Sequence, residues 1–204
     1  SVVLSSSLMK MFPASADSAC FNANLFWKHS IVCAIGAKAI IRQNMREYML
    51  DPESAFCAGI MHDIGKLIFR EFSADEYRSV GECAERDDVP VYDAETRVMG
   101  LNHAQLGRIL ADTWALPPDL EGSLVFHHSP HKAQTLRHIV YAVHCADHIA
   151  HELGIHTREN EKTPDEDPQC REVLNLGDGE YEKIVSTVRD DVEKSDEFFS
   201  IVGG

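Results

Sequence analysis

His62 and Asp63 stand side by side in the run Gly59-Ile-Met-His-Asp-Ile-Gly-Lys66, where a neutral imidazole and a carboxylate can together grip a divalent cation. Further nitrogen and oxygen donors recur along the chain: His29 upstream, then His103, His127, His128 and Asp147 downstream. Two or three imidazoles with carboxylates suit Fe, Mn, Zn, Co or Ni, whereas Mg prefers all-oxygen surroundings. Asp63 is the natural bridge, because its two oxygens can touch two cations at once. Paired cations lower the pKa of water and so supply a nucleophile near neutral pH. Lys66 follows Asp63 by three residues on the same helical face, placed to neutralise a phosphate oxygen or assist a leaving group. Asp63 and Lys66 are therefore the catalytic candidates. The metal-ligand candidates are His29, His62, Asp63, His103, His127, His128 and Asp147.

Taken singly, these signals compete with bland readings. A lone His on an apolar helix is more often a hydrogen-bonded core residue than a ligand, and Lys66 by itself reads as a snorkelling surface lysine. Order and spacing carry the argument instead. His127 and His128 occupy adjacent positions that point ~100° apart on a helix, so both reach one cation only where a helix ends; otherwise His127 is favoured. His144, His148 and His151 share a face beside Asp147, but they read as a solvated helix face and are left out of the site. Glu95 reads either as a hydrogen-bond partner for a ligand His or as an ordinary exposed acid.

These residues sit on segments with helical periodicity. Leu25, Phe26, Ile31, Val32, Ile35, Ile40 and Ile41 mark a helix from about residue 21 to 47 that carries His29. Asp51-Pro52-Glu53 supplies an N-cap, a proline at the first helical position and a first-turn acid, predicting a helix that runs through His62-Asp63 to about Phe72. Shorter helices are expected over 73–86 and 90–99, separated by Asp88-Val-Pro90. Asn102 and Gln105 form a capping-box pattern that places His103 at a helix entrance. Leu116-Pro-Pro118 divides this helix from one ending near His127-His128, and a further helix over roughly 134–153 contains Asp147. Residues 157–169 lack an apolar anchor and read as an acidic mobile loop, followed by a helical hairpin turning at Gly177-Asp-Gly179. No strand pattern and no internal repeat emerge, so the fold class is all-α.

Length and composition allow one sizeable core: 204 residues, 44% hydrophobic and 25% charged. Nineteen basic against 33 acidic residues give a formal charge of −14, which argues against a general affinity for nucleic acid or anionic membrane, since both need basic surface. A phosphorylated ligand would then need local positive charge, most easily from metal ions. No apolar run approaches the ~20 residues of a spanning helix. Ala14-Ser-Ala16 resembles a signal-peptidase site but lacks a basic region before it. Six cysteines without a Cys-x-x-Cys pair fit a reducing, cytoplasmic setting.

His29, His62-Asp63 and Asp147 follow the order His…His-Asp…Asp of the HD superfamily of metal-dependent phosphohydrolases. Phe26-Trp-Lys-His-Ser30, Gly59 to Leu67, Glu95…Gly100-Leu-Asn-His-Ala104…Gly107, Trp114-Ala-Leu-Pro117, His127-His128 and Ala146-Asp147 resemble its HDOD branch, the HD-related output domain. These motifs span about residues 22–155, and the tail resembles that family's closing helices more loosely. The resemblance implies an HD-domain-like helical bundle with metal ligands on several helices, over a core of 21–156 closed by helices within 170–204. Residues 1–20 read as the end of the helical region that precedes the first histidine helix in that family. It also implies a bacterial signal-transduction module with protein partners, in a family whose members frequently lack detectable activity and lose metal ligands. This chain retains the ligands. His103 and the His127-His128 pair match the extra histidines that support a second metal in the related HD-GYP phosphodiesterases. However, Ser129-Pro-His-Lys-Ala133 stands where those enzymes carry a Gly-Tyr-Pro loop, and Leu25 stands where some place a Glu, which argues against cyclic di-GMP hydrolysis. Two functions are thus expected as alternatives. One is a metal-dependent phosphohydrolase with one or two Fe, Mn or Zn ions acting on a phosphoester or nucleotide; the other is an inactive signalling module that binds metal, nucleotide or only protein partners.

Overall fold

The computed structural model describes residues 21–44, 48–158 and 161–202, with side chains to residue 193. The expected N-terminal segment 1–20 lies outside the described residues. Among the described residues ten α-helices and one 3-10 turn follow in order, with no strand: α1 (Ala23–Gln43), α2 (Pro52–Met61), α3 (Ile64–Phe72), α4 (Ala74–Asp87), α5 (Val91–Met99), α6 (His103–Trp114), α7 (Pro118–Phe126), the 3-10 turn (Pro130–Lys132), α8 (Arg137–Glu152), α9 (Cys170–Val173) and α10 (Asp178–Val202).

The central helix is α1. Its N-cap Asn22 accepts from the Leu25 N–H at 3.0 Å, satisfying one of the orphan donors of the first turn. Small residues let neighbours approach closely: a Cβ added at Gly36 would stand 2.9 Å from the Ala146 Cβ on α8. Helices α2, α8 and α10 pack on α1. One apolar cluster joins α1, α2, α8, α9 and α10 through residues such as Ile40, Ile41, Tyr141, Ile149 and Leu174. A second joins α1 to α2, α3, α4, α5 and α7 through Phe26, Ile60, Ile64, Leu67, Val80 and Leu124. Each such side chain, fully buried, contributes ~1.5–3 kcal/mol, so the two clusters hold α1 and α2 firmly where both meet.

One expected helix is two. The helix begun at Asp51, whose side chain accepts from the Glu53 N–H at 3.0 Å, ends at Met61, and α3 starts at Ile64. The reason lies in two glycines with different partners. A Cβ on Gly59 would stand 2.6 Å from the Ala34 Cα of α1, and one on Gly65 would stand 2.1 Å from the His103 carbonyl oxygen at the start of α6. The chain must change direction between these two close approaches, and it does so at Asp63 (φ −97°, ψ 7°). His62-Asp63 therefore occupies a junction and not a helix interior, where adjacent side chains would diverge.

The helix carrying Asp147 starts at Arg137, later than the expected 134, after Leu136 in the left-handed region (φ 51°). The final helix begins at Asp178, so the Gly177-Asp-Gly179 run opens α10 and the turn precedes it at Leu174–Gly177.

Candidate metal centre

Four histidines are held in the same way. The Nδ1–H of His29 donates to the Ile155 carbonyl at 2.9 Å, that of His62 to the Gly59 carbonyl at 2.7 Å and that of His127 to the Ser123 carbonyl at 2.9 Å. His103 donates from Nδ1 to Glu95 Oε2 at 2.6 Å. Each bond commits Nδ1 and turns Nε2 inward, toward one of two neighbouring groups of donors. This is how ligand histidines are oriented in metal sites.

The donors fall into two groups, within each of which the ligand atoms lie no more than 4.8 Å apart: His29, Cys33, His62 and Asp147, and Asp63, His103, His127 and His128. Asp63 lies between them. Its Oδ2 is 3.8 Å from His29 Nε2 and 3.5 Å from His62 Nε2, while its Oδ1 is 3.0 Å from His103 Nε2 and 3.7 Å from His127 Nε2. Asp147 Oδ1 stands 3.1 Å from His29 Nε2. All seven sequence-predicted ligands are thus brought together. His128 joins through Nε2, 3.0 Å from His103 Nε2, with its ring stacked on Tyr92. Both members of the His127-His128 pair reach the group because α7 ends at Phe126, which meets the condition set by their adjacency.

The residues fit a bound cation. His62 Nε2 is buried without a hydrogen-bond partner among the described residues, and Asp63 Oδ1 beside it meets only imidazole nitrogens, His103 Nε2 at 3.0 Å and His127 Nε2 at 3.7 Å. Unpartnered buried polar atoms are costly, and lone pairs that converge in this way are satisfied by a metal ion. Charge points the same way. Burial alone pushes the Asp63 carboxyl up, but Lys66, His62 and His103 outweigh it and hold the carboxyl well below the usual range. For Asp147, burial is likewise outweighed by His151 and His29. Burial drives the His62 imidazole down to about 4, which keeps it neutral and able to ligate. His103 is pulled to about 9, because Glu95 and Asp63 overcome its burial; a proton there sits where a cation would.

Several sequence readings need correction. Lys66 does not snorkel: it is 4% exposed, and its Nζ lies 2.7 Å from Asp63 Oδ2, 3.3 Å from Thr157 Oγ1 and 3.7 Å from Glu161 Oε1. His144 and His151 do not form a solvated face, because α8 is buried on nearly every side. His151 Nε2 stands 3.4 Å from Asp147 Oδ1, and His144 links the His127 carbonyl (2.7 Å) to the Asp167 N–H (2.8 Å). His148 is half-buried and faces Glu152 at 3.6 Å. Glu95 is no exposed acid: it is fully buried and also accepts from the His103 N–H at 2.8 Å and from the Tyr77 hydroxyl at 3.1 Å. The acidic segment after Thr157 is tied to this region by polar contacts, with Glu161 accepting from the Thr157 N–H and Oγ1.

A family model of the HDOD domain matches residues 1–130. The chain belongs to the HDOD family. Solved structures similar to this HDOD chain include an HDOD domain protein of unknown function from Geobacter sulfurreducens (23% identity, TM-score 0.68, covering 85% of this chain and 60% of that one). A candidate signal-transduction protein from Marinobacter aquaeolei VT8 is 16% identical with a TM-score of 0.74, over 87% of this chain and 38% of that one. A candidate phosphohydrolase from Shewanella amazonensis SB2B is 22% identical with a TM-score of 0.69, over 90% and 66%. An uncharacterized protein of Treponema pallidum (strain Nichols) is 23% identical over 90 residues, which are 44% of this chain and 18% of that protein. At these identities the structures establish a shared helical fold, and the chain spans less than two thirds of each relative's length. No helix among the described residues is long and apolar enough to cross a membrane.

Two contributors had a local signal in the sequence, the first passed over and the second noted beside Asp147 but set aside. Cys33 lies four residues after His29, its Sγ 3.5 Å from His29 Nε2, and His151 lies four residues after Asp147. Glu161 had none, since its approach to Lys66 depends on how an irregular segment folds back. Glu95→Gln is expected to lower metal affinity ~10–100-fold while the protein stays folded, because it weakens the acceptor that orients and charges the His103 ring. Competition against a chelating dye measures it; unchanged affinity would assign Glu95 a packing role.

Proposed function

We propose that this HDOD domain holds one or two divalent cations of the Fe, Mn or Zn kind and uses them to hydrolyse a phosphoester in a bacterial cytoplasmic signalling pathway. The observation that carries the reading is the common arrangement of His29, His62, His103 and His127, each tied at Nδ1 and presenting Nε2 to one of two donor groups that Asp63 joins. The ligands are then His29, His62, Asp63 and Asp147 for one cation and Asp63, His103, His127 and His128 for the other. Bound there, such cations supply Lewis acidity and a water that deprotonates near neutral pH. The chain's own contribution is positioning and charge. Glu95 retains the Nδ1 proton of His103, so that Nε2 is the ligating atom. Lys66, burial notwithstanding, is held charged by Asp63 and Glu161, which raise its pKa, and its ammonium is available to a phosphoryl oxygen that gains negative charge.

A second reading has an observation in its favour. His29, His62, Asp63, His103, His127 and Asp147 are each at most 4% exposed, and Thr157 and Glu161 lie over Lys66. A centre so enclosed suits a module that holds metal for shape and acts through protein partners. Elemental analysis of protein purified without chelators or a His tag, followed by a screen of phosphomonoesters, nucleotides and cyclic dinucleotides, separates the two. The enzymatic reading expects about two metal equivalents per chain in the histidine centre, lost in a variant that removes its ligands. It also expects turnover that falls ~10²–10³-fold in Lys66→Met with metal content retained. Full metal content without turnover on any phosphoester would overturn catalysis and leave the binding module, to be tested by partner capture with and without chelator.

A further inference from the structure

A second cluster of metal-binding side chains lies apart from the histidines. Cys145 on α8, Cys170 at the start of α9 and Glu166 from the acidic segment bring two sulfurs and a carboxylate oxygen within 4.8 Å of one another. Cys145 is two positions before Asp147, ~200° around the helix, and so faces away from the centre. Both thiols are completely buried, and neither is in a disulfide.

Two core cysteines by themselves are ordinary small hydrophobes. Glu166 is not explained that way. Its Oε2 lies 3.8 Å from Arg171 Nε, while its Oε1 is buried with no hydrogen-bond partner among the described residues. A thiol S–H is a poor donor to a carboxylate, so the two sulfurs do not repay the desolvation of that oxygen. A cation shared by all three does. In a tetrahedral site with Zn–S of ~2.3 Å and Zn–O of ~2.0 Å, ligand atoms stand ~3.3–3.8 Å apart, so a cluster whose ligand atoms lie within 4.8 Å of one another closes by no more than about 1.5 Å around the ion.

We propose that Cys145, Cys170 and Glu166 form a separate site for a thiophilic divalent cation of the zinc type, with a water completing its coordination on the partly exposed Glu166 side. Each thiol loses its proton to solvent as its sulfur–metal bond forms, and Arg171 offsets the surplus negative charge. The site fastens α8 to the segment that carries Glu161, and hence steadies the cover over Lys66.

Protein stripped of metal, reduced and titrated anaerobically with Co²⁺ tests this, because thiolate-to-cobalt charge-transfer absorption reports sulfur ligation that imidazole and carboxylate do not give. Because the histidine centre also takes up cobalt, the band is expected to saturate by about three equivalents of Co²⁺ per chain and to be bleached by Zn²⁺. The band should survive Cys33→Ser, which removes the sulfur beside His29, and vanish in Cys170→Ser. Glu166→Gln should keep the band with at least tenfold weaker Co²⁺ affinity. No band in the folded wild-type protein overturns the proposal, as does a band lost in Cys33→Ser and kept in Cys170→Ser. Should Cys170→Ser fail to fold, Glu166→Gln still decides, since unchanged Co²⁺ affinity in that variant overturns the three-residue site.

Discussion

Asp63→Asn should strip the centre of metal, with affinity falling by more than the ~100-fold that loss of a supporting hydrogen bond causes, because one residue serves both donor groups. The amide keeps the shape of the carboxylate but offers one oxygen and no charge. Stability should change as well. Asp63 Oδ2 is the nearest partner of the buried Lys66 ammonium, at 2.7 Å, with Glu161 farther off at 3.7 Å. Breaking a buried pair on one side costs ~3–5 kcal/mol, less whatever Glu161 recovers. The double variant Asp63→Asn/Lys66→Met removes both charges and should regain most of that stability without regaining metal. Thermal unfolding and elemental analysis of the two proteins make the comparison. Wild-type metal content in Asp63→Asn would sink the ligand assignment. Failure of the second substitution to restore stability would show that Asp63 matters to the fold through something other than Lys66.

The other large effect is expected from a methyl group. Gly65→Ala places a Cβ 2.1 Å from the carbonyl oxygen of His103, a backbone atom that cannot rotate aside. The start of α6 must move, at a cost of ~3 kcal/mol or more. For a chain of this size that is a fall in Tm of roughly 6–12 °C. His103 moves with its own carbonyl, so metal affinity should drop in the same variant. Gly179→Ala is the control, since nothing lies within 4 Å of its added Cβ; it should be neutral or stabilise by up to ~1 kcal/mol. If Gly65→Ala unfolds at the wild-type temperature with its metal retained, the close approach of α3 to α6 is not what sets the His103 position.

The contrast between Asp63 and Gly65 shows how legible the chain is. Asp63 is recognisable by type, because a carboxylate beside a His, with further His and Asp residues in order, has few other uses. Helix α1, the capping box at Asn102 and the helical identity of nearly every segment follow from local rules: apolar period, side-chain caps and proline at the first turn. Gly65 is not readable in that way. A glycine inside a helical pattern signals a close approach but does not name the partner, and the partner here is the backbone of a residue 38 positions later. The same ignorance produced the unbroken helix through His62, the solvated face at His144 and His151, and the snorkelling Lys66.

The sequence by itself determined the all-α class, the order of the ligand types and the family they resemble. These depend on residue identity and on spacings of a few residues, where the helix geometry is universal. Tertiary structure alone decided which nitrogen each His presents, that Asp63 divides its two oxygens between two donor groups, and that Glu95 and Glu161 reach His103 and Lys66. Those facts rest on hydrogen bonds between distant segments. Only packing creates such contacts, because no local preference of the chain brings Glu161 beside Lys66 or Ile155 beside His29.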